Sequence, residues 1–516
     1  MFNYIKAKLN IWAGKGGTEG VGDTSGEYTQ FGNSLIDNMI VFQGKFDNCA
    51  DFVHREITVC GKKAEVLMID NLADKLSFTQ GVLGPLMHAA PPKEITGDDA
   101  KFKWIRDCVL SYIDQREIFN FEECEWLIMT GFVCLVIDGY NKALVFGLQD
   151  FKFRSIEEPV AETVLRGSRE GFSEPIRINI SLIRRRMKNP NLKFETYILG
   201  HESKTEVCLT YIKGIVSESV IDSLRHRLKT IDIDTVLASG YIQTYLQDSP
   251  NSIFPTVGYT ERPDTICGKL SEGRVGILVD GTPNVLIAPC VFIENFQNMD
   301  DYAVGTYYAT FTRILKCMAF LISVMLPGIY VAIGSFHQAL LPSPLLYTLA
   351  QAENGTPFPL VFEALLMQFI YEMLREAGLR APKQIGSSLN IVGAFLIGQA
   401  AVSAGLIGAP MVIIVALTAT TALVVPTLYE PGIIMRFVFI ILAGMAGFYG
   451  ITIAFAFFAI HACSLKPYGV PYTAPLTPLD TYALRDVVVR APWKILSRKK
   501  IKVQDLPGSD ASKTLG

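Results

Sequence analysis

Charged residues are scarce in this 516-residue sequence, and the shortage is confined to the last third of the chain. They make up 19% of the residues, against about 25% in a typical soluble protein. Residues 317–352, 384–429 and 437–465 contain no Asp, Glu, Lys or Arg. Buried helices of a soluble core seldom run so far without a charge, whereas a charge at the centre of a membrane helix costs about 3 kcal/mol. The pattern excludes a disordered chain and predicts a multi-pass membrane region.

A membrane helix needs about 20 apolar residues, so the charge-free stretches have room for four spans. We place these spans near residues 317–336, 387–408, 410–428 and 437–460. Residues 357–374 are also apolar but include Glu363 and Glu372, and we expect an interfacial or re-entrant helix there. Whether this fifth helix crosses the membrane stays open.

The sequence gives no sign of a secretion signal, because residues 1–12 include two lysines and no apolar core of about 7–15 residues. Residues 1–33 are rich in glycine and are predicted to form a flexible tail. Basic residues favour the cytoplasmic side of a membrane. The segment 466–516 carries several: Arg485, Arg490, Lys494, Arg498, Lys499, Lys500 and Lys502. We therefore expect an even number of crossings, with the N-terminal region and the C-terminal tail both cytoplasmic.

Motifs for catalysis, metal binding and nucleotide binding are missing. The ten cysteines include no C-x-x-C pair, which argues against a disulfide framework or a zinc site. There is no G-x-S-x-G, no H-E-x-x-H and no intact dinucleotide fingerprint, and residues 14–18 lack the spacing of a phosphate loop. Residues 1–312 hold 32 basic and 41 acidic residues, which disfavours nucleic-acid binding. We therefore expect that the protein is not an enzyme and that it binds no cofactor and no metal.

The first 312 residues alternate short apolar runs with turn signals, and we predict two α/β lobes, at 34–158 and 160–312. Strand pairs at 134–137 with 143–146, and at 276–279 with 284–287, flank the Asp-Gly turns that favour hairpins. The two hairpins resemble each other, through repetition or through chance. Further strands are predicted at 64–69, 193–199 and 205–213, then a helix capped by Ser217 and a short strand at 234–237. The fold class is α+β followed by an α-helical membrane domain at 313–465.

Three segments of the second lobe resemble one family in the same order: ERPDT at 261–265, EGRV at 272–275 and DGTP at 280–283. The charge-free GSSLNIVGAFLIGQAA at 386–401 is similar too. The family is the GerA family of spore germination proteins, the A subunits of bacterial germinant receptors. The family motif residues are Glu261, Arg262, Pro263, Asp264, Glu272, Gly273, Arg274, Asp280, Gly281, Thr282 and Pro283.

The resemblance implies a subunit of a nutrient germinant receptor in the inner membrane of bacterial spores. Its implied partners are a B-type membrane subunit that senses nutrient, a C-type lipoprotein subunit, further copies of the chain and membrane lipid. The oligomer is expected to conduct ions and to trigger germination when the partners bind nutrient. The related stage V sporulation AF branch, which amplifies germination, remains an alternative, as do a transporter and a scaffold subunit.

Two groups of residues are candidates for an ion pathway. A small and polar helix face and an acidic face could each line a ring of subunits. The candidates are Ser387, Asn390, Ala394, Ile397, Ala401, Gln368, Glu372 and Glu376. Helix packing is the competing explanation of the first face, and a solvated surface that of the second. The helix-packing candidates are Gly393, Gly398, Gly405 and Gln399, and the basic residues Lys316 and Arg436 are expected to snorkel at span ends.

Overall fold

The computed structural model describes residues 30–89, 97–109, 114–149, 159, 162, 164, 166–381, 398–480, 483–496 and 502–511. The N-terminal part contains two antiparallel sheets, and the C-terminal part contains long helices.

The first sheet has the strand order β1-β2-β4-β5-β3. Its strands are β1 Phe52–Val59, β2 Lys62–Ile69, β3 Gln115–Ile118, β4 Val133–Ile137 and β5 Ala143–Phe146. Helices α1 Leu35–Lys45, α2 Lys75–Phe78, α3 Gly84–His88, α4 Asp98–Trp104 and α5 Phe121–Ile128 accompany it, with π-helical turns at Thr79–Leu83 and Ile105–Val109. Side chains alternate along the strands, so α1 and α5 pack on one face and α2 to α4 on the other.

The second sheet has the order β6-β7-β9-β10-β8. Its strands are β6 Leu192–Leu199, β7 Thr205–Ile212, β8 Gly258–Thr260, β9 Val275–Val279 and β10 Val285–Ala288. Helices α6 Ile176–Arg186, α7 Glu218–Thr230, α8 Ser239–Leu246 and α9 Pro263–Ser271 pack with it. The predicted strands at 64–69, 193–199 and 205–213, both hairpins and the helix after Ser217 are confirmed. The strand predicted at 234–237 is wrong, because those residues pair with no other strand.

The two sheets are structural repeats, since each has its first, second, fourth, fifth and third strands in that spatial order. Local hydrogen bonds repeat as well. Asp138 accepts from the backbone N–H of Leu35 at 3.0 Å, and Asp280 accepts from Ile176 at the same distance. The backbone N–H of Gly139 and of Gly281 donates to the segment just before the same helices. The similarity of the two Asp-Gly hairpins therefore reflects a repeated unit.

Charge complementarity joins the repeats. Arg184 of α6 is fully buried and donates twice to Asp51, at 2.8 and 2.9 Å. Asp70 accepts from Arg177, and Asp47 pairs with Lys193 of β6 and with Lys213, which follows β7. The backbone of residues 48–50 also bonds to β6. The acidic side of the interface thus belongs to the first repeat and the basic side to the second.

The helical part begins with α10 Asp300–Ala303 and α11 Thr306–Ser335. It continues with α12 Ser343–Glu353, α13 Leu360–Arg380, α14 Ala409–Ala422 and α15 Tyr429–Ser464. Residues 398–403 are also helical. The end of α11 meets the start of α13 where Gly334 contacts Leu360. Arg436 bonds both to Ser323, earlier on α11, and to Glu372, later on α13, so these helices run in opposite directions. The predicted span near 317–336 corresponds to the last 19 of the 30 residues of α11, and the helix near 357–374 is the 21-residue α13.

Within the described residues, two stretches are long and apolar enough to cross a membrane, Thr306–Ser335 and Pro426–Ser464. The predicted span near 410–428 comprises the 14-residue α14 and a 3₁₀ turn at Pro426–Leu428. Of the predicted span near 387–408, residues 387–397 lie outside the described residues. Four separate spans are thus not established.

The span predicted near 437–460 needs correction, because α15 reverses direction at Gly447. This residue has φ +60° and ψ −138°, which glycine adopts readily and other residues do not. The rings of Phe439 and Phe458 lie 5.9 Å apart, whereas 19 residues of continuous helix would separate them by about 28 Å. α15 is therefore a helical hairpin of residues 429–446 and 448–464.

The C-terminal segment packs along the second repeat. Tyr472 is fully buried, and its carbonyl accepts from the backbone of Phe292 at 2.8 Å. The backbone N–H of Val503 donates to Glu272 at 2.7 Å. The segment also contains the short helix α16 Trp493–Leu496. Its described residues contact the second repeat at several separated points.

Candidate functional site: polar groups inside the helical bundle

An ion pair lies inside the bundle between α13 and the first half of α15. Arg436 is 1% exposed, and its Nη1 donates to Glu372 Oε1 at 3.2 Å. Its Nε donates to the backbone carbonyl of Ser323 on α11 at 2.7 Å. Snorkelling is therefore the wrong description of Arg436, since its guanidinium connects three helices. Sequence reasoning missed the pair because its members are 64 residues apart.

Two more donors surround the same carboxylate. Tyr429 donates to Glu372 Oε2 at 2.8 Å, and Gln368 donates to Oε1 at 2.9 Å from one turn earlier on α13. The Arg375 guanidinium lies 3.4 Å from the centre of the Tyr429 ring. Because ionised carboxylates in apolar surroundings need such partners, Glu372 is held in place as part of a network.

The other pathway and packing candidates are dispersed. Glu376 is exposed and pairs with Arg380 at 2.7 Å, one turn beyond Glu372. Ala401 packs against the bundle core. A Cβ on Gly398 would lie 3.2 Å from Val412, which is a close helix approach, whereas the Gln399 side chain is exposed. Gly405 has φ +66°. The following candidates lie outside the described residues: Ser387, Asn390, Gly393, Ala394 and Ile397.

A second buried ion cluster joins α10 and α11 to the C-terminal segment. Arg313 of α11 is fully buried, with Nε 2.8 Å from Asp301 and Nη1 2.9 Å from Asp486. Nη1 also donates to the carbonyls of residues 486 and 487. Lys316 pairs with Asp301 at 3.3 Å instead of snorkelling. Tyr302 donates to Asp486 at 2.9 Å. The start of α11 is thereby tied to the C-terminal segment.

Burial dominates the electrostatics around this junction. It raises the pKa of the Asp486 carboxyl, and Arg313 and Tyr302 lower that pKa only in part. Burial also raises the pKa of the Tyr302 hydroxyl, as does the neighbouring Asp486 charge. Burial and the adjacent Arg274 charge lower the pKa of Lys269 to about 8, although Lys269 lies 3.2 Å from Glu294. Arg274 pairs with the same Glu294 oxygen, so that carboxylate does little to raise the pKa of Lys269.

The first half of the family motif surrounds the start of α9. Arg262 is the N-cap residue, Pro263 is the first helical residue, and proline suits that position. Arg262 pairs with Asp264 and donates to the carbonyl of Ser168 at 3.1 Å. The backbone carbonyl of Glu261 accepts from Phe172 at 2.8 Å.

The second half of the motif forms turns. Gly273 and Gly281 both have φ +84°. Arg274 pairs with Glu272 as well as with Glu294. Thr282 donates to the carbonyl of Val279 at 3.1 Å, in the turn that continues through Pro283. The motif contacts described here are internal to the second repeat and to its junction with the C-terminal segment.

A family profile described as Bacillus/Clostridium GerA spore germination protein matches residues 41–501. Spore germination protein KA of Bacillus subtilis is 39% identical over 466 residues, covering 89% of this chain and 85% of that protein. Spore germination protein GerLA of Bacillus cereus is 35% identical, covering 91% and 96%. The membrane protein YfkQ of B. subtilis is 41% identical, covering 72% and 73%.

Among solved structures, similarity is found to the N-terminal domain of the A subunit of the Bacillus megaterium spore germinant receptor GerK3. That match has 31% identity and a TM-score of 0.42, and covers 52% of this chain and 99% of that domain. The family profile spans most of the sequence, and full-length relatives exceed 30% identity. The chain belongs to the GerA family of spore germination proteins.

Proposed function

We propose that this chain is the A subunit of a nutrient germinant receptor in the inner membrane of bacterial spores. Several copies form a channel, and nutrient binding by a B-type partner, together with a C-type lipoprotein, opens it to release ions. Family membership supports the role in germination. The sheets and the C-terminal segment then lie in the cytoplasm, and the domain boundaries follow the predicted 34–158, 160–312, 313–465 and 466–516.

The observation that carries ion conduction is the group of polar side chains inside an otherwise apolar bundle. Glu372, Arg436, Gln368 and Glu363 are largely removed from solvent within the chain. Ionisable residues inside membrane segments are costly and commonly mark ion pathways. Helices α11 and α13 run in opposite directions, as do the two halves of α15, whereas α13 and α14 both begin beside the contact between Glu363 and Gly408. We therefore propose more crossings than the four predicted, with the span near 387–408 as a further one.

The pathway face proposed on that span can be tested in reconstituted vesicles. The full chain is purified with its partner subunits, and potassium efflux is recorded after nutrient addition. Asn390→Leu blocks a narrow polar passage, whereas Ile397→Ala widens an apolar one, so the variants should change efflux in opposite directions. Thr420→Ala, an exposed position on α14, is the matched control.

Unaltered efflux in both pathway variants would remove this face from the passage. Vesicles that stay tight with wild-type protein, partners and nutrient would overturn conduction and favour a scaffold. Saturable exchange of labelled ion across the membrane would indicate a transporter instead.

A further inference from the structure

Glu363 is a fully buried carboxylate with an unused oxygen. It lies in the first turn of α13 and has 0% exposure. Its Oε2 accepts from the backbone N–H of Gly408, at the start of α14, at 3.3 Å. Its Oε1 is buried and has no hydrogen-bond partner among the described residues. A carboxylate oxygen in such surroundings is expected to have a bound partner.

Another oxygen acceptor lies close to Glu363. A Cβ on Gly408 would lie 3.8 Å from Glu363 Oε2 and 3.9 Å from the carbonyl oxygen of Ala352. α12 ends at Glu353, and the last carbonyls of a helix carry partial negative charge.

The carboxylates of this region have no salt-bridge partner among the described residues. Glu353 Oε1 accepts from the Tyr330 hydroxyl at 3.1 Å, and no described Lys or Arg pairs with Glu353 or Glu363. The α14 N-terminus contributes one N–H group to this region. The buried and unpartnered Oε1 of Glu363, with no salt bridge to offset its charge, favours a bound cation.

We propose that Glu363 Oε1, with the neighbouring carbonyl of Ala352, forms part of a binding site for a monovalent alkali cation such as potassium. One free carboxylate oxygen and a neutral carbonyl match a single positive charge. A calcium ion takes six to eight oxygens, usually from several carboxylates, whereas Oε2 of Glu363 and Oε1 of Glu353 are already engaged. A role for this site in ion release rests on the proposed function, because it requires the chain to conduct ions. Cation binding at the site does not require conduction.

The test uses the full chain in lipid nanodiscs without any ion gradient. Thermal unfolding is compared in potassium chloride, calcium chloride and N-methylglucamine chloride at equal ionic strength. Because a ligand that binds only the folded state stabilises it, potassium should raise the Tm by a few degrees relative to N-methylglucamine. Glu363→Gln should abolish that increase. Glu430→Gln, an exposed carboxylate at the start of α15, should keep it.

Infrared difference spectra of the wild-type protein give a second measurement that needs no variant to fold. Addition of potassium should produce a carboxylate signal that calcium and N-methylglucamine do not. Equal Tm values in all three salts, or a calcium response larger than that of potassium, would overturn the proposal. A carboxyl group that stays protonated in every salt would also overturn it. Potassium binding without vesicle flux would leave the site standing and reject conduction alone.

Discussion

Removal of Arg436 should destabilise the bundle far more than removal of an exposed arginine. Arg436 is 1% exposed and bonds to α11 and α13 from α15. Breaking a buried ion pair from one side costs about 3–5 kcal/mol, because the other charge stays buried without its partner. Tyr429 and Gln368 still donate to Glu372 in the variant. We therefore expect Arg436→Met to lower the free energy of unfolding by an amount near the lower limit of this range, about 3 kcal/mol.

The double variant separates electrostatics from packing. With Glu372→Met added, no uncompensated charge remains, and apolar replacement of a buried pair is often neutral. We expect the free energy of unfolding of the double variant to lie within about 1 kcal/mol of the wild-type value. The assay is the thermal unfolding midpoint of the purified full chain in one detergent. Arg380→Met is the control, because the exposed pair with Glu376 contributes about 0.3–0.5 kcal/mol.

A Tm for Arg436→Met equal to that of Arg380→Met would refute the reasoning. So would a double variant as unstable as the sum of its single changes, because coupled residues should not behave additively.

Three further predictions concern the reversal, the junction and pH. Gly447→Ala should lower the yield of folded protein, since its Cβ would lie 2.6 Å from the His337 ring at positive φ, whereas Gly432→Ala should not, because its Cβ meets nothing nearer than 3.9 Å. Arg313→Met should lower the free energy of unfolding by about 3–5 kcal/mol and make residues 483–496 susceptible to limited proteolysis. Lys494→Met, at an exposed position, should change neither property. The pKa of Lys269 is lowered to about 8 in the folded chain, against a normal value of 10.5 in the unfolded chain. Between these two pH values Lys269 keeps its proton mainly in the unfolded chain, so the free energy of unfolding should rise with pH across this window. Lys269→Met should remove that part of the rise, and identical pH slopes of the Tm in both proteins would contradict it.

Much of the sheet region follows from local sequence. The Asp-Gly turns at 138–139 and 280–281 specify hairpins because glycine supplies the positive φ at little steric cost. The helix after Ser217 follows from its cap position and its apolar spacing. Residues 234–237 failed as a strand, since an apolar run becomes a strand only when a partner edge is available, and none is present there.

The helical part was less predictable. Gly444, Gly447 and Gly450 form a glycine cluster that could have indicated the reversal in α15, but a charge-free run of this length fits one continuous helix equally well. The pairing of Arg436 with Glu372 depends on which helix faces which, and local hydropathy contains no such information.

The sequence by itself determined the kind of environment each region requires: two similar α/β units with charged surfaces, followed by helices too apolar for water. Only the tertiary structure decided which polar groups meet inside those helices. Partners such as Arg313 and Asp486, or Glu363 and Gly408, lie 173 and 45 residues apart. The physical reason is that burial fixes the cost of a charge locally, whereas the partner that offsets that cost is chosen by the packing of the whole chain.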